Sequence, residues 1–174
     1  MDSKEILKEM EMDYETLVSY LLNKYGAAKY NYFCNETYKS KNKKVTRTKE
    51  GLFCHHIDED KAFNLSKRSW AIEQPFEYQK AERLVYCNYI EHLLLHILIA
   101  KNNYWSKHTK LDVPRNFDEF ILPGISFICA DINDLYVDNG SSLEWRNICF
   151  KEIENNFEDY IHILKSFIQY ILDK

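Results

Sequence analysis

Apolar residues recur at helical spacing in several parts of the chain. Leu17, Val18, Leu21, Leu22 and Tyr25 fall on one face of a helix over 14–25, which Asp13 can cap and Gly26 can end. A denser apolar run, Leu93-Leu94-Leu95-His96-Ile97-Leu98-Ile99-Ala100, belongs to a helix over about 89–101. Asn88 at its cap with Glu91 three residues on is a capping-box signal. Residues 125–137 give a further helix. Ser141 and Glu144 form a second capping box, predicted to open one long helix reaching Leu172. Cys149, Ile153, Phe157, Tyr160, Ile161, Leu164, Phe167, Ile168 and Ile171 would line its buried face. Two short β-prone runs interrupt this pattern, Leu52-Phe53-Cys54 and Arg83-Leu84-Val85-Tyr86-Cys87. Between them lie some 25 residues without strong periodicity, ending in Pro75. The expected class is α+β and mostly helical.

At 174 residues the chain fits one compact domain with a real core. Only 4 Gly and 3 Pro favour helices over tight turns. The longest apolar run is too short to span a bilayer, so no membrane segment is expected. The N-terminus has no apolar leader-like stretch. The five cysteines form no CxxC pair, and they read as reduced thiols of a cytoplasmic protein. A net charge of −4 argues against a surface that binds nucleic acid all over. One local exception is residues 39–49, "KSKNKKVTRTK", where six of eleven are Lys or Arg. A solvated loop or edge strand is the plain reading of that run.

The polar residues inside the apolar pattern carry the chemistry. His92 and His96 are four apart, hence on one face and one turn from each other, where two imidazoles can hold a single ion. Their helix is otherwise nearly all Leu and Ile, so both rings need partners. Upstream, "CHHIDED" sets His55 and His56 side by side at the end of a β-prone run. Neighbours on a strand face opposite ways, which suits two different roles better than one shared role.

The ordered pattern "GLFCHHID…ERLVYCNYIEHLLLHI" resembles the HNH endonucleases, the His-Me finger or ββα-metal family. The resemblance covers roughly residues 44–101. It implies an HNH-like ββα-metal core over residues 39–103, with an N-terminal helical segment (1–38) and C-terminal helices (104–174). By position in the motif, His55, His92 and His96 would hold one divalent metal ion, Mg or Mn in the first place, Zn or Ni otherwise. His56 would be the general base. The implied function is metal-dependent hydrolysis of DNA phosphodiester bonds, in restriction, phage or mobile-element biology. Lys43, Lys44, Arg47 and Lys49 would contact the DNA phosphates, and the C-terminal helices could form a homodimer.

Two departures from the family pattern stand out. The family Asn that fixes the loop bearing the base falls at Arg83, and residues 58–80 form an insertion within the hairpin. Arg83 and the acidic net charge favour an alternative: an HNH-like scaffold weakened in catalysis that works as a protein- or nucleic-acid-binding regulator or inhibitor. A further alternative closes a structural zinc site with Cys54 or Cys87. Asp58, Glu59 and Asp60 read as a solvated acidic turn before any role near the metal. His108 and His162 read as surface or partly packed residues, and Trp70, Trp105 and Trp145 as core.

Overall fold

A computed structural model describes residues 2–105 and 121–173. His108 and the side chain of Trp105 lie outside what is described. The described elements are α1 (Ser3–Met10), α2 (Tyr14–Tyr25), β1 (Phe53–His56), α3 (Arg68–Ala71), β2 (Leu84–Cys87), α4 (Tyr89–Trp105), α5 (Leu122–Val137), α6 (Glu144–Lys151) and α7 (Phe157–Leu172). The class is α+β and mostly helical, as the sequence pattern implies. No helix among the described residues is long and apolar enough to cross a membrane.

The centre of the molecule is α4. Its capping box forms as expected: Ile90 N and Glu91 N donate to Asn88 Oδ1 at 2.9 and 3.0 Å, and Asn88 N donates to Glu91 Oε2 at 2.7 Å. Ile90, Leu93, Leu94, Leu95, Ile97, Leu98 and Ile99 are all buried. A helix apolar on nearly every side must be wrapped by others, and α1, α2, α5 and α7 pack around this one. β1 and β2 pair antiparallel, with His55 opposite Val85 and His56 opposite Leu84. The short sheet thereby delivers His55 to the first turns of α4, while His56 packs on Tyr32 and Gln79.

Helix α2 starts and stops where its caps require. Asp13 accepts from Thr16 N at 2.7 Å, and Gly26, at φ 80°, donates to Leu22 O at 2.9 Å. Helix α1 was hidden in the sequence by its charge, since Ile6 is its one fully buried apolar residue. A polar junction docks it. Lys24 Nζ lies 2.7 Å from Glu5, 2.7 Å from Glu91 and 3.5 Å from the fully buried Glu9.

The expected single C-terminal helix is in fact two. Asn156 N donates to Ile153 O in a turn between α6 and α7, and the Glu-Asn-Asn sequence there favours turns and caps over helix interior. The break resets the phase of the buried face. Tyr160, Ile163 and Phe167 are buried, while Phe157 and Ile168 are half exposed. The second capping box does not form either: α6 begins at Glu144, and Ser141 Oγ accepts only from Leu143 N. Trp70 and Trp145 are about 40% exposed rather than core. His162 is exposed, in line with the surface reading.

Candidate metal centre

His55 from β1 and His92 and His96 from α4 meet at one point. Each offers a ring nitrogen within 4.8 Å of the others. Their ring centroids are 5.4, 5.2 and 4.8 Å apart, all edge to face. Nitrogens sharing one tetrahedral zinc at about 2.0–2.1 Å would lie roughly 3.4 Å apart, so small ring rotations would close this trio on an ion. The i, i+4 spacing sets two of the rings, and the hairpin register brings the third.

The hydrogen-bond network fixes which nitrogen of His55 is free. Tyr14 OH spends its one proton on Ile57 O at 2.9 Å, so at 3.0 Å it must accept from His55 Nε2. Nδ1 therefore carries the lone pair, and it is buried with no hydrogen-bond partner. Such a second partner, holding the tautomer of a ligand histidine, is the usual support of a metal site.

His56 follows the same logic with a different outcome. Gln79 Nε2 donates to Leu65 O at 3.2 Å, which leaves Gln79 Oε1 to accept from His56 Nε2 at 3.0 Å. Its Nδ1 is again a buried lone pair without a hydrogen-bond partner. The ring packs on Tyr32 at 4.4 Å and is not one of the three converging imidazoles. Burial above all holds it unprotonated, with a pKa lowered to about 4. His96 is lowered to about 4 by burial alone, while His55 and His92 fall well below the ordinary value through burial and neighbouring imidazoles.

His96 is placed by a glycine. A Cβ on Gly124 of α5 would stand 2.9 Å from His96 Nδ1, so any larger residue there would push the His96 ring from its place. With Nδ1 against α5, Nε2 faces the cluster.

Asp58 and Glu59 overturn the expectation of a solvated acidic turn. Asp58 is fully buried and held by Arg83 and by Lys61 Nζ at 2.6 Å. Glu59, carried by the same 3-10 turn (Ile57–Asp60), reaches into the histidines. Its Oε2 is 3.3 Å from His96 Nε2 and 3.8 Å from His55 Nδ1, and its Oε1 is 3.7 Å from His56 Nδ1. Burial pushes its pKa up to about 8. A signal existed: Glu59 is four residues past His55 and three past His56, the spacing that shares a face if the chain coils directly after the strand. Tyr14 and Gln79 gave no such signal, being 41 and 23 residues from the rings they hold.

Glu59, His92 and His96 together line a cavity of about 430 Å³ whose walls include Phe53 and Tyr89 and whose rim includes the exposed Lys67. The basic run is divided in its duties. Lys43, Lys44 and Lys49 are exposed, with Lys44 Nζ standing 5.2 Å over the Tyr30 ring. Arg47 is not: it binds Glu50 through two nitrogens, donates to Tyr25 O at 2.6 Å and stacks over the Tyr86 ring at 4.6 Å. A guanidinium so engaged holds loop to core. Lys41, from the same run, stands over Tyr32, the ring packed on His56. No cysteine joins the converging donors among the described residues, which leaves the closed zinc alternative without its Cys54 or Cys87 ligand.

No family model, curated protein or solved structure matches the chain. Fold and chemistry therefore rest on the geometry itself.

Proposed function

We propose that this chain is a metal-dependent, HNH-type endonuclease that hydrolyses DNA phosphodiester bonds. The observation that carries the reading is the convergence of His55, His92 and His96 beside a fourth buried imidazole whose Nδ1 lone pair is uncommitted. Three neutral nitrogens suit a divalent cation with coordination positions left over, the arrangement of a catalytic rather than a structural site. When bound there, a divalent cation supplies Lewis-acid stabilisation of charge on the phosphate.

The chain's own groups supply the rest. His56 Nδ1 accepts the proton of the attacking water, with Gln79 holding the opposite nitrogen so that the lone pair stays aimed. The new oxygen–phosphorus bond forms as the bond to the 3′ oxygen breaks. Positive charge appearing on His56 is met by Glu59 at 3.7 Å. Lys41, Lys67, Lys43, Lys44 and Lys49 attract and position the phosphate backbone without reading sequence.

A second reading, a scaffold that binds without cutting, draws on the net charge of −4 and on the engagement of Arg47. Plasmid nicking with Mg, Mn, Ni or Zn supplied in turn separates the two. Cleavage with at least one ion, lost in His56→Ala while metal and DNA binding persist, supports the nuclease. Stoichiometric metal binding with no cleavage under any ion supports the scaffold.

A further inference from the structure

The carboxylate beside His55 and His96 has no place in a three-ligand site, yet its distances to those two rings are those of a shared ligand sphere. An oxygen and a nitrogen on one zinc, at about 2.0–2.2 and 2.0–2.1 Å, lie roughly 3.4 Å apart. Glu59 Oε2 is 3.3 Å from His96 Nε2 and 3.8 Å from His55 Nδ1. Three neutral imidazoles leave both charges of a divalent ion uncompensated in a buried site, which is costly without a nearby anion. Glu59 is the carboxyl group that faces that point, and a cation bound there would favour its ionised form. Its turn is not free to swing it elsewhere, because the preceding residue, Asp58, is clamped by Arg83 and Lys61.

We infer that Glu59 is a fourth protein ligand, through Oε2, of the ion held by His55, His92 and His96, so that the resting site is closed. The inference rests on the trihistidine metal reading and goes one donor beyond it. Glu59 also lines the cavity together with His92 and His96. It therefore stands on the side from which a substrate phosphate would arrive, and a phosphate oxygen taking its coordination position would open the site. Its other oxygen, Oε1, turns toward His56 Nδ1. At rest the carboxylate thus fills the space between metal and base that water and phosphate occupy during reaction.

The test is titration of the metal-free protein with Co²⁺, read by visible absorption, and with Zn²⁺ against a chromophoric chelator. Wild type is compared with Glu59→Gln, Glu59→Asp and His92→Ala, each checked for fold by circular dichroism. Expected are at least tenfold weaker binding in Glu59→Gln, an altered Co²⁺ spectrum, and partial recovery of both in Glu59→Asp. Equal affinity and an identical spectrum in Glu59→Gln, with binding abolished by His92→Ala, overturn the fourth ligand and leave the trihistidine standing. Failure of the wild type to bind either ion overturns both.

Discussion

Arg83 grips Asp58 with two nitrogens, Nε at 2.6 Å from Oδ2 and a terminal nitrogen on Oδ1. This links the last 3-10 turn before β2 to the turn after β1 that carries Glu59. Under the proposed HNH reading, Arg83 stands at the position where an Asn would fix the loop bearing the base. Here a charged pair ties down that same stretch of chain, so a departure in residue type need not be a departure in role.

Removing that grip should be costly. Asp58 is buried and would keep only the largely exposed Lys61. Arg83→Ala is expected to lose about 2 kcal/mol, between the values for exposed and fully buried pairs. Urea denaturation measures it, and a loss below about 0.5 kcal/mol would show that the turn holds itself.

Tyr14→Phe probes the tautomer of His55. The variant keeps the ring packing but removes the hydroxyl that accepts from Nε2 and donates to Ile57 O. Loss of such an orienting partner typically costs 10–100-fold in metal affinity. Zn²⁺ affinity should drop within that range, and unchanged affinity would mean the hairpin alone sets the ring.

Stability should fall between mildly acidic and mildly alkaline pH, partly through Glu9. Burial first, then the neighbouring Glu91, raises its pKa from 4.5 to about 8 in the fold. A proton is therefore held more tightly by the folded than by the unfolded chain. The resulting stability is whole below pH 4.5 and is lost as pH rises through 8. Glu9→Gln should flatten this part of the curve. Urea midpoints at pH 5 and pH 8.5 compare the two proteins, and equal declines would contradict the assignment.

Much of this was legible in the sequence where local physics decides. The caps at Asp13 and Asn88 set α2 and the start of α4, and the i, i+4 spacing set the pair His92 and His96. What was not legible depended on distant contacts. The pair Asp58 and Arg83 is 25 residues apart, and burial of an acid cannot be read from composition when its counter-charge lies that far away. Arg47 looked like a phosphate contact because its charge is local information, whereas its ties to Tyr25 and Tyr86 are not. The split between α6 and α7 was signalled by Asn155 and Asn156, and was masked by apolar residues that kept helical spacing across it.

The most direct measurement is anomalous diffraction from crystals soaked in a manganese or zinc salt. The expected result is a single strong site bonded to His55 Nδ1, His92 and His96 Nε2 at about 2.0–2.2 Å, with His56 unbound beside it. An ion bound elsewhere, or these rings left without a common ion at saturating metal, would contradict the metal centre and the hydrolysis built on it.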